Sequence, residues 1–575
     1  MFLTAMLMCA INMTAQLTSV SGTVLSAEDD EPIIGASVRV KGHTHGAVTD
    51  ADGHFVLKGL TAADKEIEIS FVGCQTQYLP VADNMVVRLV PKAESMDEVI
   101  VVAFGKQKRE SFTGSASVVG AAQIEKQQVN TPLDVLKGHV TGVQMTDGTG
   151  VLGEPSMLVR GISSINAGTS PLIVVDGLPY NGYYNDINTA DVANITVLKD
   201  AASCALYGAR GANGVILITT KQAERGNTRV TFDAKWGQNS DGRVRYNTID
   251  DPGQYYEAAY LGYYNYYLNR MGQTKSGAHV SANNMLGRPY TEGGLGYMVY
   301  TVPAGQFLIG ENGRLNPQAT LGNRIAHNGN FYTLVPDNWR KVGTRNGLRQ
   351  EYNVSLSGGN EKFRFLASLG YLDNEGISYG SDMSRYSARL KTEYQAYSWL
   401  RIGANVGYNH QKSNNQGGVF GIVYQIAPIY PAYMRDGDGN IIKDIHGKRF
   451  DYGNGDDMGV IRPQDMNGNT LQDDRLNISG NVSHSFNISG YATADFLKYF
   501  SLTVNGNVYL TENRMKDGIN PYYGYDKERG GFVSTSMYKT ADTNWQQLLN
   551  YNQTIGHHNI SAMLGHEYSR SSQDH

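Results

Sequence analysis

The run 436-DGDGN-440 places Asp436, Asp438 and Asn440 at alternate positions, the spacing at which a calcium-binding loop presents oxygens to a hard cation. The bidentate acid that would complete such a loop is missing, because Gly447 stands in its place. The stretch therefore reads as a polar turn with only a weak claim on a metal. His43 and His45 share one face of a short strand and could ligate a metal, but a solvent-exposed hairpin accounts for them as well. Arg160, Asp176 and Lys199 are charged residues near strand ends, none paired with a second group at the spacing of nucleophile and base. The segment 255-YYEAAYLGYYNYY-267 sets Tyr255, Tyr256, Tyr263 and Tyr264 at helical spacing. Such rings could stack on sugars, pack on a partner, or cover the mouth of a larger structure. No catalytic triad, metal cluster or phosphate loop stands out, so an enzyme is the reading with least support and no cofactor is expected.

Composition narrows the class. A chain of 575 residues should hold several domains. Its net charge of −5 argues against a nucleic-acid partner, which calls for a basic face. Tyr outnumbers Phe, 37 to 16, a bias that suits membrane interfaces and sugar-contacting surfaces. A mean hydropathy of −0.36 is too polar for a helical membrane protein but not for a β-barrel, half of whose residues face a polar lumen. Cys9, Cys74 and Cys204 show no CxxC spacing, so neither a disulfide framework nor a zinc site is expected.

Four regions follow one another. Met1–Ala15 is apolar and ends in small residues, as a secretory signal does, with cleavage expected after Ala15. Residues 18–91 read as a small β-sandwich, with strands at Ser21–Leu25, Ala36–Lys41, Ala47–Thr49, His54–Leu57, Glu66–Phe71 and Met85–Val90. Residues 95–110 follow: the acidic pair Asp97-Glu98, the apolar run Val99–Val102 and a basic linker. That run is either the last strand of the sandwich or an extended segment free to pair with an outside edge. Residues 111–222 mix short strands with glycine-dense loops. Within them, 197-VLKDAASCALYGARGANGVILITTK-221 reads as a βαβ-like corner: strand Ile195–Leu198, helical turn Asp200–Leu206, glycines 208, 211 and 214, and strand Val215–Thr220.

From residue 226 to 575 the pattern is alternation. In 400-LRIGANVGYN-409, Leu400, Ile402, Ala404, Val406 and Tyr408 fall on one face, with polar and small residues on the other. Nine such strands are predicted, at 228–237, 351–358, 362–372, 384–396, 400–410, 487–496, 500–511, 543–555 and 559–570. Their connections alternate strictly between short and long, the habit of a transmembrane barrel with tight periplasmic turns and long external loops.

The wording of the 197–221 corner, and of 133-LDVLKGHVTGVQMTDGTGVLGEPSMLVRGISSINAGTSPLIVVDGLPYNG-182 before it, resembles the plug domain of the SusC/RagA-like family of TonB-dependent outer-membrane transporters. The plug signature comprises Arg160, Gly161, Asp176, Gly177, Lys199, Asp200, Tyr207, Gly208, Gly211, Asn213 and Gly214. The 18–91 block resembles the carboxypeptidase-regulatory-like domain that precedes such plugs. The resemblance implies a mostly β architecture: a transthyretin-like sandwich, an α+β plug at 111–222 and a partial transmembrane antiparallel barrel at 226–575. It implies that Asp97, Glu98, Val99, Ile100, Val101 and Val102 form a TonB-box-like segment that binds TonB by strand addition. Arg160, Asp176 and Lys199 become expected salt bridges within the plug or to the barrel wall. It implies a place in the outer membrane amid its lipid, a SusD-like surface lipoprotein as lid, and import of glycan oligosaccharides, with peptides as the rival ligand. Transporters of this kind close with about 22 strands, so the chain reads as the N-terminal part of one. A surface adhesin without transport and a non-functional remnant are the rivals from other classes.

Overall fold

The structure, a computed structural model, describes residues 19–575 apart from 28–29, 41–45, 62–63, 72–73, 91–98, 103–104, 109–115, 128, 147–152, 154, 163–167, 224–225, 243–247, 416–418, 465–466 and 557. The expected leader, His43, His45, Asp97 and Glu98 lie outside the described residues. The chain divides into two compact units, the second taking most of the chain from Gly114 onward.

The first unit holds two small sheets. One runs His54–Lys58, Ser19–Ser26, Met85–Leu89; the other runs Gly46–Val48, Ser37–Val40, Glu66–Ser70, Gln77–Pro80. Every second residue is apolar, so Val20, Val24, Phe55 and Leu57 bury toward Val38, Val40, Ile67 and Ile69 in one core. Gln77–Pro80 escaped the sequence reading because it is a short edge strand ending in a proline, without a run of apolar alternation. Val99–Val102 and Gly105–Lys108 pair with each other as a separate two-stranded sheet.

The second unit contains an inner domain and a wall. The inner sheet has the order Ala116–Gly120, Val192–Leu198, Val215–Thr220, Leu172–Val175, Leu178–Pro179. Val215, Ile216, Leu217 and Ile218 are all buried, as a strand covered on both faces requires. Val192–Leu198 and Val215–Thr220 pair antiparallel, which corrects the βαβ-like reading. The reversal is made by the helical turns Ala201–Cys204 and Ala205–Gly211 and by two glycines in the left-handed region, Gly208 (φ 59°) and Gly214 (φ 91°). A Cβ on Gly214 would stand 2.9 Å from the Val159 side chain, so the corner needs glycine there for space as well as for φ.

The wall is one antiparallel sheet of nine strands in chain order: Gly226–Asn239, Gly347–Gly359, Phe363–Glu375, Ser381–Tyr397, Leu400–Asn415, Ile478–Phe496, Phe500–Ile519, Phe532–Ile555 and His558–Asp574. All nine expected strands are present. They are longer than expected on the side of the long connections, where Phe532–Ile555 runs 24 residues. The extension shrinks the connection expected at 373–383 to 376–380.

Register turns the alternation into a surface. Cross-strand rows such as Val230, Leu356, Ala367, Leu390, Val406, Ile488 put apolar side chains side by side on the outer face. On the short-turn side the apolar rows end at aromatic residues: Tyr397 stacked on Trp399, and Phe500 between Phe496 and Tyr551. On the other side they end at one row, Tyr352, Tyr371, Tyr386, His410, His484, with successive ring centroids 6.3, 4.8, 6.2 and 4.6 Å apart. Tyr386 to Tyr397 rises about 25 Å at ~3.3 Å per residue and a tilt of ~45°, the height of the apolar band on a transmembrane barrel.

The long connections fold into cores of their own. Helices Pro252–Asn265 and Lys275–Gly287 pack together over Tyr256, Tyr260, Leu286, Tyr297 and Tyr430. A second cluster gathers Trp339, Phe450, Tyr452, Leu471 and Tyr523.

Candidate functional site

The inner domain meets the wall through polar groups on elements that the plug signature helps to shape. Leu172–Val175 turns into Leu178–Pro179 through Asp176 (φ 48°) and Gly177 (φ 89°), positive φ at both central residues as a type I′ hairpin demands. The turn delivers the Asp176 carboxylate to the wall. Arg389 Nη2 donates to it at 3.1 Å and Lys391 Nζ at 3.2 Å, while Thr220 donates through its backbone N–H (2.9 Å) and its hydroxyl (2.5 Å). The Thr220 hydroxyl in turn accepts from Arg389 (2.7 Å) and Lys391 (3.1 Å). Burial alone would raise the Asp176 carboxyl, but Lys391 and Arg389 outweigh it and hold the group below the usual carboxylate range.

A second contact centres on Asp186. It accepts from Ser485 (2.6 Å), Tyr509 (2.6 Å) and Asn409 (2.7 Å), all from wall strands. Here burial wins over those hydrogen bonds, and the carboxyl is pushed up. Between the two contacts lies a cavity of about 70 Å³, lined by Asp186, Asn188, Thr220, Arg389, Asn409 and Tyr509 among others. Around it the wall grips the inner backbone. Arg385 donates to the carbonyls of Asn185 (2.7 Å) and Asn130 (3.2 Å), and Arg349 to that of Val129 (3.1 Å). Asn188 reaches Asn353 (2.9 Å) and Ser387 (3.1 Å), and Arg210 pairs with Glu567. This is an interface of hydrogen bonds and ion pairs, each of which water can replace when the surfaces part.

The signature residues divide by role. Asp176 is the salt bridge to the wall. Lys199 corrects its expectation: it donates to the Ser117 hydroxyl and the Thr141 carbonyl, both at 2.7 Å, and pairs with no acid among the described residues, so it ties the inner domain to itself. Arg160 is exposed and forms no ion pair with a described residue; its φ of 60°, followed by Gly161 at 90°, makes it a turn residue. Asp200 caps the turn after its strand by accepting from the Ser203 amide and hydroxyl. Asn213 bonds the carbonyls of Gly168 and Ser170, Tyr207 is buried, and a Cβ on Gly211 would meet the Cys204 carbonyl at 2.6 Å. Sequence reading missed Asp186, Arg349, Arg385, Arg389 and Lys391. The signal was present: long charged residues recur at alternate, inward positions of strands whose outer face is apolar.

The tyrosines also divide. Tyr256 is fully buried, donating to the Tyr297 carbonyl at 2.7 Å and accepting from the Val299 amide. It belongs to the helix's core stripe, which removes it from the ligand candidates. Tyr263 and Tyr264 pack partly against that core, and Tyr255 also lines a cavity of about 670 Å³ with Trp339, Tyr424 and Gln464. Asp436 folds its carboxylate onto its own turn, accepting the amides of Asp438 (3.0 Å) and Asn440 (2.9 Å), the behaviour of a polar turn. Among the described residues no group of three or more acidic, His or Cys side chains could hold a metal ion.

Comparison with known proteins follows this geometry. Residues 108–215 match the TonB-dependent Receptor Plug Domain model, and residues 20–101 match the CarboxypepD_reg-like domain. The chain is 28% identical to TonB-dependent receptor P39 of Formosa agariphila over 97% of its own length and 47% of the relative's. It is 29% identical to TonB-dependent receptor SusC of Bacteroides thetaiotaomicron over 76% of its own length and 38% of the relative's. A structure of the RagAB peptide importer in the open-open state shares the fold, with a TM-score of 0.60 and 22% identity over 83% of this chain and 50% of that one. The chain thus spans about half or less of the length of these proteins, which are receptors and transporters and not enzymes. The polar seat described above lies between the plug domain and the nine-stranded wall, and the chain is similar to SusC and other TonB-dependent receptors over most of its length.

Proposed function

We propose that the chain serves TonB-dependent import of a nutrient across the outer membrane. The observation that supports this most is the polar seat of the plug. An apolar plug–wall contact would have to expose greasy surface to move, whereas Asp176, Asp186 and their partners can be exchanged for water. In this reading Asp97–Val102 is the handle. Among the described residues its apolar strand Val99–Val102 pairs with the four-residue strand Gly105–Lys108, which TonB could replace by strand addition. Glycan oligosaccharides are the proposed cargo, delivered under a SusD-like lipoprotein, with the sandwich and plug on the periplasmic side. The RagAB likeness is one of fold, and peptides are the alternative cargo.

Uptake of a fluorescent oligosaccharide in cells lacking the chromosomal copy tests the proposal. Deleting 97–102 should abolish energised uptake and leave surface binding intact. Uptake that survives the deletion refutes the TonB-driven mechanism, and uptake of labelled peptide alone reassigns the cargo.

A further inference from the structure

A cavity of about 510 Å³ at the base of the long loops has an unusual lining: Lys341, Lys448, Arg475 and His446 around Tyr379 and Tyr433, with Phe450 and Gln472 behind, and no aspartate or glutamate. Five separate stretches of chain supply it. Lys341 lies on the helix Trp339–Gly343, Tyr379 in the connection 376–380, Tyr433 before the hairpin that bears His446 and Lys448, and Gln472 and Arg475 on the helix Thr470–Leu476. The cations are not neutralised by neighbours. Among the described residues none of Lys341, Lys448 and Arg475 has a carboxylate within ion-pair distance, while nearby Arg449 takes up both Asp444 and Asp457.

The rings hold the cations in place. Arg475 lies 4.2 Å over the Tyr379 ring and also donates to the Val342 carbonyl at 3.0 Å; Lys448 lies 5.0 Å over Tyr433. Arg475 also donates to the Leu471 carbonyl, so both terminal nitrogens are anchored and the guanidinium is fixed with its charge at the cavity. Gln472 also lines the cavity, and among the described residues its buried amide oxygen has no hydrogen-bond partner. Clustered cations, aromatic faces and a lone acceptor are what a sugar ring bearing an acidic group would meet.

We propose that this cavity binds an acidic glycan, with a uronate carboxylate or sulfate held by Arg475, Lys341 and Lys448 and a pyranose face against Tyr379 or Tyr433. This rests on the reading of the chain as a glycan importer and names the class of glycan. A neutral oligosaccharide leaves three cations without counter-charge. An acidic peptide satisfies the charge but offers the rings and the Gln472 oxygen no hydroxylated ring.

The test is calorimetric binding to the detergent-solubilised full-length protein without an energy source, with hexagalacturonate, its methyl ester and hexaglutamate as probes. Hexagalacturonate should bind, its methyl ester about tenfold more weakly, and the affinity should fall as salt rises, since screened charges supply it. Lys341→Gln with Lys448→Gln should weaken hexagalacturonate about tenfold; both side chains are exposed, and an unchanged thermal melt checks that the fold is kept. Arg475→Lys keeps the charge but loses the planar stack on Tyr379 and should weaken it further. Equal binding of the methyl ester, equal binding by the double variant, or hexaglutamate binding as tightly as hexagalacturonate overturns the assignment. Because no energised step enters the assay, loss of TonB-dependent uptake would strike the transport reading alone. Absence of hexagalacturonate binding in a protein that still imports would strike the pocket alone.

Discussion

Replacing Asp176 by Asn isolates the plug's hold on the wall. The side chain keeps its size and loses the charge that Arg389 and Lys391 share. The three side chains are 20, 11 and 17% exposed, so this is not a solvent-screened surface pair. Removing one partner of a buried pair costs about 3–5 kcal/mol. Two features place the cost at the lower end: Arg389 keeps Asn405 and Thr220, and the amide oxygen introduced by the substitution can still accept the Thr220 N–H. A loss of about 3 kcal/mol multiplies the population of plug-released molecules by roughly 100. Hydrogen exchange at the amides of residues 176 and 220 reads that population directly. The rates should rise by about two decades at pH 7, while amides in the sandwich do not change. The sign with pH is fixed as well. The folded Asp176 carboxyl lies below the unfolded value of about 4, so its contribution is complete above that value and vanishes as pH falls through the folded one. Wild type and variant should therefore converge only in acid. Exchange rates within a factor of about 3 of wild type at pH 7 would refute the latch.

Asp186 should show the opposite pH trend. Its folded carboxyl is raised, so its contribution is fully present below the unfolded carboxylate value and is lost as pH rises through the folded one. Plug protection in the wild type should increase on acidification from pH 7, and Asp186→Asn should remove that trend. This substitution should cost little at neutral pH, because the unpartnered Asn409 oxygen can flip to accept the new amide; a thermal melt checks it. Gly214→Ala should destabilise the plug by about 1–3 kcal/mol, since φ is 91° and Val159 stands in the way; the same melt should fall by several degrees. In the same melt, Tyr256→Phe should cost about 1–3 kcal/mol by leaving the Val299 amide without its buried acceptor.

The parts of the fold that the sequence carried most clearly are those where one physical period dominates. Ile402, Val406 and Ile488 alternate because one face meets an apolar surrounding and the other the plug, and all nine wall strands were readable for that reason. Reading stopped short at residues 512–519 and 532–542, which are strand in the structure although their few apolar residues, among them Met515, Phe532, Val533 and Met537, do not alternate strictly with the polar ones. In the plug, Gly208 and Gly214 announced a corner, but its antiparallel sense depends on partners distant in sequence. The seat was half legible: Asp176 stands out in its Asp-Gly turn, while Asp186 is one polar residue in a polar stretch until Tyr509, 323 positions later, donates to it. Tyr256 misled because a helical stripe of tyrosines looks the same whether it faces a ligand or a core.

The height of the wall has a consequence for the basic cavity. The strand Ser381–Tyr397 runs five positions beyond Tyr386, its member of the aromatic row, and Tyr379 follows in the connection 376–380. At ~3.3 Å per residue and a tilt of ~45°, the strand end that carries this connection stands about 12 Å above that row. On the proposed outer-membrane reading, with the row at the lipid interface, that distance is about one and a half Debye lengths at physiological salt, over which the potential of anionic headgroups fades roughly fourfold. A cluster of lysine and arginine seated at the interface itself would be occupied by the membrane's own acids. Raised on strands above the interface, the same cluster would on that reading be left open to solutes.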